Sequence, residues 1–471
     1  MAGLTGIHHV CFSGSRSGTA QLTWGQRWMW EEMAWFAPRH EHLKMQAVID
    51  LPRQARLAKV LSSLRVLVER REPLRTTFPV STSGEPHQAL AARGELKVEE
   101  WSAPPGGSRV VAAQLAQQLG QDPFTVDELP LRAGVVTCNG TPSHVVLIVF
   151  HLATDAWDMG NLIDELRLLV SSGGAEDAVR AEDRLQPLDQ AAYELTREGT
   201  RACQRSLEYW RSQLTRAPAD MLPFRNSTPE RQRFKEVTLE SEALGLAVPI
   251  LSQRLGVSQA TVLLSVVAIL LGLRSNQSTA CLTLYCNNRF DARKRTAPGI
   301  FIQDVPVIID LSDGSLRDII RRTWRATLSA YMAGQYDPVR AHSLIEAVQH
   351  DRNTAIDLSC TVNVTLGMER SNADVPIVAS HVTHELVEEA SSRTRYGQSQ
   401  TFHTDRPGRR FYLCADNYAD HVRVSLRADT TVLSTVDVLD FLRDIEKVTI
   451  KVLESSDIGL QAIGQLLAGP R

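Results

Sequence analysis

Residues 143–150, SHVVLIVF, leave few folds open to this chain. The run is β-branched, continuously apolar and of strand length, and a strand with no polar face must be covered on both sides. It belongs at the centre of a sheet lined by helices, in an α/β or α+β protein. The residues that follow, HLATDAWDMGNLIDELRLLV, place Met159, Leu162, Ile163, Leu166 and Leu169 at helical spacing, with Asp158 where an N-cap is favoured. Locally the order is strand, short loop, helix.

The same mixture of elements continues along the chain. Residues 26–36, through Trp28, Met29, Met33, Trp35 and Phe36, and residues 57–68, through Leu57, Val60, Leu61, Leu64 and Leu67, have the apolar stripe of amphipathic helices. Residues 202–214, 250–273 and 316–332 read as helices, 305–310 as a strand and 412–429 as interrupted strands. At 471 residues the chain exceeds one ordinary core, since domains run to about 150 residues each, and two large lobes are expected. The polar stretch 171–190, with its Gly pair and Pro, marks their boundary, giving an N-terminal lobe at 1–185 and a C-terminal lobe at 186–471.

Several classes of function are disfavoured. Lys and Arg total 51 against 54 for Asp and Glu, a net charge of -3 that offers no bulk field for nucleic acid or anionic lipid. The longest apolar run, 260–273, falls short of the roughly 20 residues a membrane span needs and reads as a buried helix. The N-terminal residues lack a basic segment followed by an apolar one, so a cytoplasmic location is expected. The seven cysteines contain no C-x-x-C pair, which argues against a disulfide framework or a zinc site and for buried thiols. His8 and His9 are adjacent, point to opposite faces of a strand and do not share a metal. Phosphate-cradling glycine loops are absent, so ATP activation and nicotinamide chemistry are unsupported.

The titratable residues at the end of the apolar strand are the best candidates for chemistry, because such positions are rigidly held and open onto crevices in α/β sheets. His151 emerges there, and an imidazole of ordinary pKa near 6.5 suits proton transfer at neutral pH. Asp155 lies in the loop before the helix, where a carboxylate either orients the imidazole or pairs with a distant cation. The plain alternative is a satisfied core histidine followed by a loop cap.

Residues 150–156, FHLATDA, resemble a variant of HHxxxDG, the active-site motif of the nonribosomal peptide synthetase condensation-domain superfamily. Five further segments resemble that family in the right order. Residues 22–30 (LTWGQRWMW), with Gln26, are similar to its opening element, and 70–78 (RREPLRTTF) to RHExLRTxF, with Arg71 in the His place. Residues 124–133 (FTVDELPLRA) are similar to the segment before the active-site strand, and 209–214 (YWRSQL) to the element opening the second lobe. Residues 288–306 are similar to the arginine-bearing crossover and the GxFxNxxP motif, here Gly299, Phe301, Gln303 and Pro306.

The resemblance implies two chloramphenicol-acetyltransferase-like lobes arranged as a V, with a tunnel that admits phosphopantetheine arms of carrier proteins. It makes His151 the catalytic residue of a condensation in which an amine or alcohol attacks a carrier-bound thioester. Asp155 becomes structural, paired with Arg289 in YCNNRF, and Ala156, Trp157 and Arg289 are the substrate-binding candidates. No cofactor or metal of its own is expected, the partners are peptidyl or acyl carrier proteins, and a free-standing monomer is the simplest assembly. Two residues depart from the motif: Phe150 stands for its first His, expected to point into the core, and Ala156 for its Gly, adding a methyl where close approach or a positive φ is needed. The basic run Arg289, Arg293, Lys294 and Arg295 is either a solvated face or a docking patch for a carrier. The competing functions are a catalytically silent platform that binds carriers or recruits tailoring enzymes, and a modified reaction such as cyclisation, dehydration or hydrolysis.

Overall fold

The computed structural model describes residues 3–36, 43–171, 184–226, 228, 230–367, 383–399, 408–418 and 420–468. The side chains of Trp35 and Phe36, and most of the polar stretch expected to hold the lobe boundary, lie outside the described residues.

The chain divides into two compact units, one made of Met1–Cys203 and Asn287–Gln303, the other of Gln204–Cys286 and Asp304–Arg471. The first unit begins with β1 (Gly3–Ser13), β2 (Gly18–Gln21), α1 (Trp24–Phe36), β3 (Lys44–Asp50) and α2 (Leu57–Arg70). It continues with β4 (Thr76–Thr77), β5 (His87–Leu90), β6 (Arg93–Ala103), α3 (Ser108–Leu119), β7 (Leu131–Cys138), β8 (Thr141–Phe150), α4 (Ala156–Ser171) and α5 (Pro187–Glu194). The chain leaves it within α6 (Arg197–Arg216). The second unit holds β9 (Phe234–Ser241), α7 (Glu242–Leu255), α8 (Gln259–Ser275) and β10 (Thr279–Cys286). After β10 the chain returns to the first unit for a crossover segment that includes α9 (Ala292–Thr296). It then completes the second unit with β11 (Gln303–Asp310), α10 (Leu316–Tyr331), α11 (Pro338–Arg352), β12 (Cys360–Val364), α12 (His384–Ser391) and β13 (Arg395–Ser399). The last elements are β14 (Phe411–Asn417), β15 (Val422–Asp429), α13 (Thr435–Glu454) and α14 (Leu460–Ala468).

The units therefore part at residues 203 and 204, not at 185 and 186, and residues 287–303 belong with the N-terminal portion. The reason is packing. Helix α5 lies against β2, and Glu194 Oε2 accepts the Trp24 N–H at 2.9 Å, so residues beyond 185 are tied to the first unit despite the polar stretch before them.

A five-stranded sheet of order β1-β6-β7-β8-β3 and a three-stranded sheet of order β2-β5-β4 form the first unit's framework. Strand β8 is internal, flanked by β7 and β3, although it stands one place in from an edge and not at the middle. Every residue from His144 to Phe150 is buried, as a strand without a polar face requires. The β7–β8 hairpin closes through Asn139 and Gly140, both at positive φ, the two-residue turn whose twist matches that of the strands.

In the second unit seven strands run β11-β10-β12-β14-β15-β9-β13, parallel from β10 to β14 and antiparallel from β14 to β13. Helices α7, α8 and α13 cover this sheet. The apolar stretch read as one helix over 250–273 is two helices, α7 and α8, meeting at 102°. Gly256 ends α7 in the left-handed conformation (φ 67°) and Ser258 caps α8 by accepting from Thr261 N. Among the described residues no single helix is long and apolar enough to cross a membrane. Cys203, Cys281, Cys286 and Cys360 are buried, but Cys11 is exposed. It sits on the edge strand β1 between inward-facing Val10 and Phe12, so the alternation of the strand turns it outward.

Candidate active site

The end of β8 passes directly into a turn. Phe150 N–H donates to Pro130 O, His151 N–H to Leu43 O and Ala153 N–H to Phe150 O, each at 2.9 Å, so the backbone on both sides of His151 is anchored. Phe150 points inward, is 1% exposed, stacks on Phe124 at 5.3 Å and meets Phe78 edge-on at 6.3 Å. An aromatic hydrocarbon at this place seals the strand end with no polar atom to satisfy.

His151 is half-buried, and its Nδ1 lies 2.8 Å from the carbonyl oxygen of Thr154. A carbonyl only accepts, so Nδ1 carries the hydrogen in this bond and the neutral ring keeps the lone pair of Nε2 as its basic site. Tautomer and orientation are set together by a single backbone acceptor.

Asp155, 2% exposed, begins α4. Its Oδ1 accepts the Asp158 N–H at 2.8 Å and its backbone carbonyl accepts the Met159 N–H at 2.8 Å. The N-cap of α4 is thus Asp155, and the expectation that placed it at Asp158 is corrected by one turn. The same carboxylate receives Arg289 Nη2 at 3.2 and 3.1 Å and the Phe301 N–H at 2.9 Å. Arg289 has no exposed side-chain surface; its Nη1 donates to the carbonyls of Lys294 and Ala297, and its Nη2 to that of Gly299. A guanidinium enclosed in this way ties the crossover segment to Asp155, which is the structural pairing expected of these two residues.

Ala156 is exposed in the first turn of α4 and does not adopt a positive φ, so the methyl group in place of the motif's Gly introduces no backbone strain. Trp157 is half-buried, with its indole N–H donating to Arg295 O at 3.0 Å, and Asn161 Nδ2 reaches the same carbonyl at 2.9 Å. The basic run is divided: Arg289 is internal, Lys294 is partly buried with its pKa lowered by that burial, and Arg293 and Arg295 are exposed.

Sequence reasoning missed a buried charge network behind the turn. Arg71, 1% exposed, donates from Nη1 to Asp158 Oδ1 at 2.6 Å and from Nε to Glu165 Oε2 at 2.9 Å. Arg184 Nη1 reaches the same Glu165 oxygen at 2.6 Å. Burial opposes charge on Arg71 and Glu165, but attraction to Asp158 and Glu165 raises the arginine above its ordinary value, and attraction to Arg71 and Arg184 holds Glu165 below the usual carboxylate range. Asp158 Oδ2 also accepts Thr154 Oγ1 at 2.9 Å and the Gly299 N–H at 2.8 Å. A signal was available: Asp158 and Glu165 are seven residues apart, hence on the face of α4 that carries Met159, Leu162 and Leu166, and acids on an apolar face need cations.

Among the described residues no group of His, Cys, Asp and Glu has the arrangement of a metal site. His8 and His9 instead meet Glu100 at 2.8 Å and Glu95 at 2.6 Å.

Malpinin synthetase of Mortierella alpina is 26% identical over 348 residues, which is 72% of this chain and 4% of the synthetase, so the chain corresponds to a small part of that relative. The SgcC5 protein from Streptomyces globisporus is 17% identical, with a TM-score of 0.68 over 93% of this chain and 100% of that one. A chain in the complex of the X-domain and OxyB from teicoplanin biosynthesis is 19% identical, with a TM-score of 0.64 over 98% and 99%. At such identities the structural likeness concerns the fold alone. The match that identifies the chain is to the family model described as the condensation domain, which spans residues 16–400 and so takes in β8, the His151 turn, Asp155 and the Arg289 segment: the chain belongs to the condensation-domain family.

Proposed function

We propose that this chain is an acyltransferase of natural product biosynthesis, joining an acyl or aminoacyl group held as a carrier-protein thioester to an amine or alcohol. The observation that carries the reading is the Nδ1–H bond from His151 to Thr154 O, which leaves Nε2 as the proton acceptor of a half-buried histidine. In the reaction the nucleophile attacks the thioester carbonyl, a C–N or C–O bond forms and the C–S bond breaks. His151 Nε2 takes the proton of the nucleophile and returns it to the departing thiolate, so the enzyme ends as it began. The phosphopantetheine arm belongs to the substrate, and the enzyme supplies no cofactor. Ala156 and Trp157, in the first turn of α4, are the residues proposed to meet the substrate. Holding two tethered reactants together supplies effective molarity in addition to proton transfer.

The test is reconstitution with loaded carrier proteins and mass spectrometry of the product. His151→Ala and His151→Gln are expected to reduce turnover about 10²–10⁴-fold, the range for loss of a general base. Undiminished product from either variant refutes the base assignment. Carrier binding without turnover on any donor indicates the silent platform instead, and a hydrolysed or cyclised product on the carrier indicates a modified reaction.

A further inference from the structure

The buried network behind the turn does more than neutralise charge. Asp158 receives three donors from three separate segments: Thr154 Oγ1 from the catalytic turn, Arg71 Nη1 from the residue after α2, and the Gly299 N–H from the crossover. The first is decisive, because Thr154 is the residue whose carbonyl orients His151. Thr154 has no exposed surface, and Asp158 is 2% exposed, so their bond is made without competition from water. Arg71 in turn is clamped between Asp158 and Glu165 on one face of α4, and Glu165 is held by Arg184. A continuous series of hydrogen bonds runs Arg71, Asp158, Thr154, His151.

We propose that Asp158 is a positioning residue for His151, acting through the Thr154 hydroxyl, with Arg71 as the cation that pairs with Asp158 and holds it in place. The proposal rests on His151 as the working base, and it explains why an arginine at position 71 occurs together with an aspartate at 158: each is a buried charge that requires the other. Removing the Thr154 hydroxyl leaves its carbonyl free to shift, and the imidazole loses its single orienting acceptor. Shifts of about an ångström at a reacting group lower turnover by up to about 10²-fold while ground-state binding is little affected.

The experiment uses Thr154→Val, which keeps the shape and deletes the hydroxyl, and Thr154→Ser, which restores it. Asp158→Asn and the Thr154→Val/Asp158→Asn double variant complete the set, with a thermal melt of each to confirm folding. Nitrogen NMR of the full-length protein reads the His151 tautomer, assigned by its loss in His151→Gln. In the neutral imidazole of the parent protein, a hydrogen on Nδ1 and none on Nε2 is expected. In Thr154→Val the two tautomers mix, kcat falls about 10-fold or more at nearly constant KM, and Thr154→Ser restores both. The double variant is expected to be little worse than Thr154→Val alone, because the two residues act in series. An unchanged tautomer in folded Thr154→Val, an equal defect in Thr154→Ser, or additive losses in the double variant each overturn the proposal. If the parent protein turns over no carrier-bound donor, the proposed function fails, while the NMR result still decides whether Thr154 and Asp158 position the ring.

Discussion

At the scale of single residues, Asp155 and Arg289 show how the turn after β8 is made rigid. The carboxylate caps α4, meets the guanidinium and accepts the Phe301 N–H, so one side chain joins helix and crossover. Asp155→Ala strands a guanidinium that has no exposed surface, and the expected loss is about 3–5 kcal/mol in urea unfolding. Replacing both partners, Asp155→Leu with Arg289→Met, is expected to be less damaging than the sum of the single changes, because neither charge is left alone. The residue pattern by itself left Asp155 open between orienting the imidazole and pairing with a distant cation; the family resemblance pointed to the cation. What orients the imidazole is the carbonyl of Thr154, and a backbone atom has no signature in a sequence. Arg71 was visible only as a departure from a motif, because its partners Asp158 and Glu165 lie more than 80 positions away.

Elements show where local chemistry governs and where packing overrides it. Phe150 closes the core end of β8 against Phe124 and Phe78, so Phe150→Ala is expected to lose about 3–5 kcal/mol by urea titration, whereas His151→Ala is expected to leave stability almost unchanged. The corner between α7 and α8 depends on Gly256 in the left-handed region. Gly256→Ala is therefore expected to be destabilising by about 1–2 kcal/mol, and Ser258→Ala by about 1 kcal/mol through loss of the cap, both measured as falls in melting temperature. Helix periodicity over 250–273 suggested a continuous element because the apolar character persists through the corner; the break is signalled by Gly256 and Ser258, residues that weigh little in a hydropathy count.

For the whole molecule, acid sensitivity and thiol reactivity follow from burial. Glu165 titrates below its ordinary value when folded, so its ion pairs contribute stability that is complete above an unfolded pKa of roughly 4.3 and is lost as pH falls through the lower, folded one. The urea midpoint of the parent protein is expected to fall more steeply with acidification below about pH 4.3 than that of Glu165→Gln. Among the cysteines, Cys11 is exposed, while burial raises Cys281 to about 12 and Cys414 to about 11. A maleimide-type reagent at pH 8 is expected to label Cys11 rapidly, and Cys281 and Cys360 only after denaturation, which peptide mass spectrometry reads directly. Rapid labelling of Cys281 in native protein contradicts this burial.

The amino-acid sequence alone determined the mixed α/β class, the internal strand β8, the helix after it and the place of His151 at the strand end, because these rest on periodicity and propensity within a few residues. Family motifs in register extended this to Asp155 and Arg289. Tertiary structure alone decided that residues 287–303 join the N-terminal unit, that Arg289 is enclosed, and that Arg71, Asp158 and Glu165 form one network. Those outcomes depend on which distant charges and carbonyls meet in a dry interior, where a buried ion is tolerated only with its partner, and that pairing exists only once the chain has folded.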